Sequence, residues 1–472
     1  PQTLPPIEPS ETEVLPLCNP RIARYLEKAL TIHPMAVSEL LELLVSAGQR
    51  VPAKLLPKLL NFGQKRRALQ DSILPVIGNR GSWLAAQNPD WSYASGSIIE
   101  LSGEKSPTDA EAEKREFKRR WEEAERAERY VVFSQWRSVD PDSAREALAA
   151  TWKAETHTDR RELVRRLGQD VSMADEPFLE AALLDRSKGV REAAAELLAT
   201  MPASSLCQRM ADRISQFVHF QMANGHLTLE VNLPDEYDSD WERDGVNRRL
   251  VEGLGEKAGW LQQLVAKAPL SLWPQNFEAM SQCLQGNEWR EMLLTGWATA
   301  ACNQYQSSEA VDWAYALLHQ LDVVGEAGEV LTGEILRSLV LHLPMPQREA
   351  YLCAYLKRPA KTNSQKDIDQ QLADWLRLVA QVPQRWDYDF SRFALKQLIR
   401  LLKGDRRSGS LYCPPPTLAM TLHPGLASEA VRAITNLSYE QSPTPAWQHF
   451  LDDFLPALSL RWDIYQAFAN SS

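Results

Sequence analysis

The stretch from Phe178 to Pro202 constrains the fold most, because it has the pattern of two antiparallel helices joined by a short turn. Apolar residues recur at helical spacing in both halves, so each predicted helix carries one apolar stripe. One helix pair cannot bury its stripe alone, and the pattern therefore predicts that this pair packs against further pairs.

A second, poorer copy of the pair lies 30 residues upstream. Six positions correspond, and Leu148, Trp152, Glu155, Arg161, Val164 and Leu167 align with Phe178, Ala182, Asp185, Arg191, Ala194 and Leu197. The placement of Asp185 and Arg191 resembles that of HEAT repeats, in which such side chains tie successive turns together. We therefore expect an all-α, HEAT-like solenoid of antiparallel helix pairs. An irregular helical domain with one accidental pair is the alternative.

Helical periodicity extends over most of the chain, with one change of period near 226–233, where HLTLEVNL alternates apolar and polar residues as a strand does. Prolines, turn residues and charge runs suggest the other boundaries. The expected segments are an extended N-terminal arm (1–16), a helical block with an aromatic loop (17–108), HEAT-like repeats (109–225), a strand with an acidic loop and a helix (226–275), and C-terminal helical repeats (276–472).

Composition limits the classes of function. The formal net charge of −10 argues against nonspecific binding to phosphate backbones, which depends on Lys and Arg. Six cysteines without a CxxC pair fit a reducing compartment. The N-terminal stretch has no signal-peptide pattern, and no apolar run approaches the roughly 20 residues that span a bilayer. We expect a cytoplasmic protein that is neither secreted nor membrane-embedded.

Three blocks, GNRGSWLAAQNPDWSY, LEVNLPDEYDSDWERDGV and GEKAGWLQQLVAKAPLSLW, resemble a bacterial family of uncharacterised, HEAT-like helical proteins of this length. Genes of that family commonly lie beside a MoxR-type AAA ATPase, a von Willebrand factor A domain protein and a SWIM zinc-finger protein. The resemblance implies a scaffold or adaptor in an ATPase-driven, chaperone-like system. It brings no catalytic residues with it.

An aromatic loop is the first candidate contact region. It combines rings, a guanidinium and a carboxylate, the mixture found in interface anchors: Arg80, Trp83, Asp90, Trp91 and Tyr93. In the alternative interpretation, which the frequent burial of large rings favours, Trp83 and Trp91 fill the interior and Asp90 holds a turn.

An acidic stretch is the second candidate region for a partner, with Asp238, Asp240, Trp241, Arg243 and Asp244 as its contact residues. Its oxygen-rich loop suits Ca²⁺ or Mg²⁺, but the EF-hand spacing fails because Val251 stands where the bidentate Glu is needed. Capping of the following helix by Asp244 within a solvated loop is the simpler interpretation.

A basic loop is the third candidate, in which Lys403, Arg406 and Arg407 are expected to bind an anion. The segment KGDRRSGS lacks P-loop spacing, and its composition favours a basic linker.

Motifs of catalysis, zinc binding and dinucleotide binding are absent from the sequence, so we expect a non-enzymatic protein without metal or cofactor. Binding of protein partners is the leading hypothesis. Nucleic-acid binding through a HEAT-like surface is an alternative, for which the candidate basic stripe consists of Arg160, Arg161, Arg165, Arg166 and Arg191. An enzyme without a recognisable motif is the remaining alternative.

Overall fold

The computed structural model describes residues 12–94, 107–124, 126–248, 255–321, 333–357, 364–381, 385–403, 415–440 and 445–470. These residues are predominantly helical, as the periodicity predicts, with one two-stranded sheet among them. None of their helices is both long enough and apolar enough to cross a membrane. The chain divides into two compact units: one combines Pro1–Lys105 with Tyr355–Ser472, and the other is Ser106–Ala354.

The N-terminal part of the first unit contains four helices. They are α1 (Pro20–Thr31), α2 (Ala36–Ser46), α3 (Leu56–Gln64) and α4 (Gln70–Ala86), with short 3₁₀ helices at Ala53–Leu55, Arg67–Leu69 and Pro89–Ala94.

The second unit contains the next helices and both strands. In chain order these are α5 (Pro107–Glu123), α6 (Arg126–Val139), α7 (Pro141–Thr151), α8 (His157–Leu167), α9 (Glu176–Ala182), α10 (Lys188–Leu198), α11 (Ser205–Ile214), β1 (Val218–Ala223), β2 (His226–Val231), α12 (Asp240–Arg243), α13 (Glu256–Lys267), α14 (Phe277–Leu284), α15 (Arg290–Asn303), α16 (Ser308–His319), α17 (Gly333–His342) and α18 (Met345–Tyr355).

The C-terminal part of the first unit consists of α19 (Gln365–Gln381), α20 (Tyr388–Lys403), α21 (Pro415–Thr421), α22 (Ala427–Glu440) and α23 (Pro445–Ala469). These C-terminal helices pack against the N-terminal ones, although the two groups are far apart in sequence. Helix α23 contacts both α1 and α2. Leu460 and Ile464 of α23 belong to the same buried apolar cluster as the residues of α1–α4.

Three successive helix pairs of the second unit share a repeat of 31 residues. Equivalent positions of α6, α8 and α10 are buried together, as in Trp136, Leu167 and Leu198. The predicted pair at 178–202 corresponds to α9 and α10. The spacing of 30 residues predicted from the sequence is one residue too short. Leu148 is buried, and so is Leu179, which lies 31 positions later. Phe178, which lies 30 positions later, is only half-buried. The third copy, α5 with α6, was missed because its many charges hide the apolar stripe.

An arginine occupies the same place in each second helix, and the first two of the three link neighbouring pairs. Arg129 Nη2 lies 2.7 Å from Glu155 Oε1 in the following turn, and Arg160 Nε lies 2.9 Å from Asp185 Oδ2 in the turn after that. Arg160 Nη1 also donates to the carbonyl oxygen of Glu155, as Arg191 Nη1 does to that of Asp185. This shared hydrogen bond makes Arg160, and not Arg161, the counterpart of Arg191.

The fourth pair of the second unit is interrupted. Helix α11 packs against α13, but residues 215–255 lie between them in sequence and contain β1, β2 and α12. Beyond this insertion, α13 packs against α15, and α15 packs against α17. The insertion is therefore the place where the chain departs from the pairwise helical pattern.

The segment predicted as an aromatic loop is helical instead. Gly78 breaks α4 with φ 63° and ψ −177°, and the backbone N–H groups of Asn79 and Arg80 after the break donate to the Glu13 carboxylate at 3.0 and 3.2 Å. A helix resumes because a carboxylate accepts from the N–H groups that the break leaves free. The described part of the predicted arm, from Thr12 to Pro16, thus lies along the fold.

Candidate protein-binding surface

The insertion begins with a β-hairpin whose turn is set by Asn224 and Gly225. Both residues have positive φ, 52° and 80°, which is the conformation of the two-residue turn that joins twisted strands. The strands pair antiparallel with Ala223 opposite His226 and Val218 opposite Val231. This pairing defines a hairpin whose second strand packs against α14.

The base of the hairpin is fixed by aromatic packing. The ring of Phe220 lies 6.4 Å from those of Trp273 and Trp297, which are both buried. The outer part of β1 has no such contact, and Met222 is 70 % exposed. A single exposed apolar side chain is common on protein surfaces, so Met222 is available for contact but does not by itself mark an interface.

The acidic stretch that follows the hairpin is anchored by Trp241. Its ring is buried within 6.0 Å of the rings of Phe217, Tyr237 and Trp260, so that it joins the hairpin base to α13. The Tyr237 hydroxyl donates to the carbonyl oxygen of Val246, and burial raises the pKa of that tyrosine to about 12. These contacts anchor the acidic stretch to the hairpin base and to α13.

Asp244 is the electrostatic centre of the anchor. Its fully buried carboxylate lies 2.9 Å from Arg209 Nη2, 2.7 Å from Arg213 Nη1 and 3.3 Å from Arg243 Nε. Burial acts against the charged form, but the hydrogen bonds and charges of the arginines outweigh it and hold the pKa of Asp244 below its ordinary value.

The backbone after Asp244 makes a close approach to the repeat helices. Gly245 has φ 74°, and a Cβ at this position would lie 2.7 Å from that of Ala195 in α10. Beyond it, Asn247 N–H donates to Gln263 Oε1 at 2.7 Å, and Gln263 Nε2 donates back to the Asn247 carbonyl oxygen at 2.9 Å. The insertion is thus attached to both α10 and α13.

The solvent-facing side of this segment carries uncompensated negative charge. Asp235 pairs with Lys257 at 2.8 Å, whereas Glu236, Asp238 and Asp240 are exposed and form no ion pair among the described residues. The described part of the chain also contains no group of three or more His, Cys, Asp or Glu side chains that could hold a metal ion. The surface is suited to a basic partner.

The candidates in the acidic stretch separate into two groups. Asp238 and Asp240 are exposed, and the side chain of Arg243 is 42 % exposed. Trp241 and Asp244 are buried, so their side chains are not available for direct contact with a partner. The Asp244 carboxylate pairs with Arg209 and Arg213 of α11. Among the described residues, it does not make the helix-capping hydrogen bond that the simpler interpretation expected.

The candidates at 80–93 lie in the first unit and mainly pack inward. Trp91 Nε1 donates to Asn61 Oδ1 at 2.9 Å, and the Tyr93 hydroxyl donates to the Leu60 carbonyl oxygen at 3.1 Å. Burial raises the pKa of Tyr93 to about 12. Trp83 is half-buried, which leaves Arg80 and Asp90 as the exposed members of this group.

The third candidate is described only in part. Lys403 is exposed at the C-terminal end of α20, where Lys396 and Arg400 are exposed on the preceding turns. Arg406 and Arg407 lie outside the described residues. The three described cations follow helical spacing and form a basic stripe along α20.

The arginines proposed for nucleic-acid binding are largely occupied within the protein. Arg160 is buried against Asp185, Arg166 pairs with Glu162 at 2.9 Å, and Arg191 lies 3.4 Å from Glu242. Arg161 and Arg165 are exposed. Two side chains give little neutralisation of a phosphate backbone.

Sequence reasoning missed strand β1 and with it Met222. The outer part of β1 is exposed on both faces, so its residues lack the alternation that identifies β2. The dipeptide Asn224–Gly225 before the alternating segment was the available signal, because this pair favours a tight hairpin turn.

No curated protein and no solved structure matches the chain. A family model described as a family of unknown function, DUF5691, matches residues 1–468. The expectation of a family without an assigned activity is thereby confirmed, and the chain belongs to the DUF5691 family.

Proposed function

We propose that the chain is a non-enzymatic scaffold whose second unit is a HEAT-like solenoid and whose insertion at 215–255 binds a protein partner. The single observation that carries this proposal is the combination of rigid anchoring and exposure in the insertion. Trp241 and Asp244 fix it to the repeat helices, while Met222, Asp238 and Asp240 remain open to solvent. Insertions in repeat arrays commonly form the binding face.

The solenoid is supported by the 31-residue repeat and by the arginines that link neighbouring pairs. In such arrays each pair contacts mainly its neighbours, as α6, α8 and α10 do. The array then acts as a rigid support that presents the insertion to a partner at a fixed orientation.

A MoxR-type AAA ATPase or a von Willebrand factor A domain protein is the partner that we propose, on the strength of the sequence resemblance. The charge of the insertion also requires a particular property of the partner, and this property can be checked in either protein. Because Glu236, Asp238 and Asp240 have no cation of their own among the described residues, the partner surface has to be basic at the contact. Met222, on the hairpin of the same insertion, supplies an exposed apolar side chain.

The test is a binding titration of the purified chain with a MoxR-type AAA ATPase and with a von Willebrand factor A domain protein from the same organism. We expect a complex that weakens as salt is raised, since exposed charges are screened. The double variant Asp238→Lys/Asp240→Lys should bind at least about tenfold more weakly, because like charges then face each other.

A charge-matched control separates the surface from net charge. Glu146→Lys/Glu291→Lys changes two exposed carboxylates of the same unit outside the insertion and should bind as the parent chain does. Equal binding by both double variants would contradict the proposed surface, and the absence of any complex with either protein would contradict the proposed partners.

A further inference from the structure

The first unit contains a groove between α22 and α23 with a volume of about 490 Å³. Its floor on α22 runs from Ala427 to Asn436, and the facing wall is formed by Ser459, Trp462 and Asp463 of α23. With a rise of 1.5 Å per residue, the helical floor is about 13 Å long. A groove of this volume is in the range that holds small ligands.

Several polar side chains line the groove, and they form no hydrogen bonds or ion pairs with one another. Arg432, Thr435 and Asn436 face it from α22, and none of them makes a hydrogen bond or ion pair within the part of the chain that the structure describes. The same holds for Asp463 on the opposite helix, although it lines the same groove as Arg432. The groove therefore presents one cation, one anion, one amide and hydroxyl groups that are free to bind a ligand.

We propose that this groove binds a short, extended peptide segment that carries an acidic and a basic group on either side of two apolar residues. An extended chain advances about 3.3 Å per residue, so the 13 Å floor matches four residues. The hydroxyl and amide side chains both donate and accept, which suits the alternating N–H and C=O groups of a peptide backbone.

The two charges and the indole define the side chains of this ligand. Arg432 pairs with its carboxylate, Asp463 pairs with its ammonium group, and the half-buried ring of Trp462 packs against its apolar residues. A nucleotide or another polyanion fits less well, because one arginine opposed by one aspartate leaves no net positive charge at the groove. This site lies in the other unit from the acidic insertion and does not depend on the function proposed for it.

The experiment uses the full chain with 5-fluorotryptophan, followed by ¹⁹F NMR. The signal of Trp462 is assigned by its loss in Trp462→Phe. The probes are two acetylated, amidated tetrapeptides with two central leucines, one with glutamate first and lysine last and one in the reverse order. A tetrapeptide with glutamine at both ends is the neutral control.

We expect one of the charged peptides to shift the Trp462 signal with an apparent Kd of about 1 mM, as a short ligand with few contacts allows. Arg432→Gln and Asp463→Asn should each weaken that binding about fivefold, the effect of one exposed ion pair. Asp452→Asn, which removes an exposed carboxylate from the same helix away from the groove, should leave it unchanged. An unmoved Trp462 signal with both charged peptides, or equal shifts with the neutral peptide, would overturn the proposal.

Discussion

Glu39 of α2 and Arg461 of α23 form a buried ion pair between residues 422 positions apart. Arg461 donates from Nε to Glu39 Oε2 at 2.6 Å and from Nη2 to Glu39 Oε1 at 2.8 Å, and both side chains are almost inaccessible to solvent. The Tyr465 hydroxyl donates to the same carboxylate at 2.7 Å. Two distant parts of the chain are thereby joined inside one unit.

Breaking this pair is expected to destabilise the first unit. Arg461→Met leaves the buried Glu39 without its main counter-charge, which typically costs about 3–5 kcal/mol. Hydrogen exchange followed by mass spectrometry should show faster exchange of amides in α2 and α23, while α8 and α10 are unchanged. Glu39→Met/Arg461→Met should recover part of the loss, since a buried pair can be replaced by apolar residues. Unchanged protection of α2 in the single variant would contradict the assignment.

Asp244→Asn is expected to destabilise the insertion. The neutral amide leaves Arg209, Arg213 and Arg243 without their shared carboxylate, and we expect a loss of about 3 kcal/mol in the free energy of unfolding. Asp238→Asn is the matched control, because Asp238 is exposed and Asn keeps the acceptor for the N–H of Asp240. Denaturation followed by tryptophan fluorescence should place the control within about 0.5 kcal/mol of the parent chain.

The contribution of Asp244 should also depend on pH. Its pKa in the folded chain is lowered from 3.8, so its stabilisation is complete above about pH 5 and disappears as pH falls through the folded-state value. The difference in unfolding free energy between the parent chain and Asp244→Asn should therefore be constant from pH 7 to about pH 5 and shrink below about pH 4. A difference that does not change down to pH 2 would show that the carboxylate charge is not the stabilising feature.

Substitutions at Gly245 and Gly225 distinguish the cost of a strained backbone conformation from the cost of a steric clash. Both have φ between 70° and 80°, so Ala at either position costs about 1 kcal/mol in backbone energy. At Gly245 the new Cβ would also lie 2.7 Å from that of Ala195, whereas at Gly225 nothing lies within 4 Å. Thermal unfolding should show a larger loss for Gly245→Ala than for Gly225→Ala. Equal losses would mean that the approach to α10 is not tight.

Arg160 tests the link between helix pairs. Arg160→Met removes the counter-charge of the nearly buried Asp185 and a donor to the Glu155 carbonyl oxygen, and should destabilise the second unit by about 3 kcal/mol. Arg161→Met, next to it and exposed, should change stability by less than about 0.5 kcal/mol. Chemical denaturation of both variants makes the comparison. Equal losses of stability in the two variants would contradict the assignment of Arg160 as the residue that links neighbouring helix pairs.

Local periodicity was sufficient to predict the parts of the fold whose neighbours are close in sequence. The pair α9 and α10 and the strand β2 follow from stripes and alternation within about 25 residues of sequence. The prediction of a loop near Gly78 was wrong because the helix there depends on a residue that is distant in sequence. Helix α4 continues past the kink because Glu13 accepts from the freed N–H groups, and that contact spans 66 positions.

The candidate surface was predictable in composition but not in geometry. The run of acidic residues identified Asp238 and Asp240, which are exposed. Nothing local distinguishes Asp244 from them, and its burial follows from Arg209 and Arg213, which lie on α11 more than 30 positions away. Propensity describes a residue and its near neighbours, whereas burial of a charge depends on which distant groups meet it.

The division of the first unit between the two ends of the sequence has a consequence during synthesis. About 250 residues separate its N-terminal part from its C-terminal part. At about 5–20 residues per second, a ribosome needs roughly 12–50 s to make that interval, and no residue of the C-terminal part can pack against α1 and α2 before it ends. Ser106–Ala354 is completed meanwhile and is free to fold first. The apolar faces of α1 and α2 are then the surface on which a nascent-chain chaperone would act.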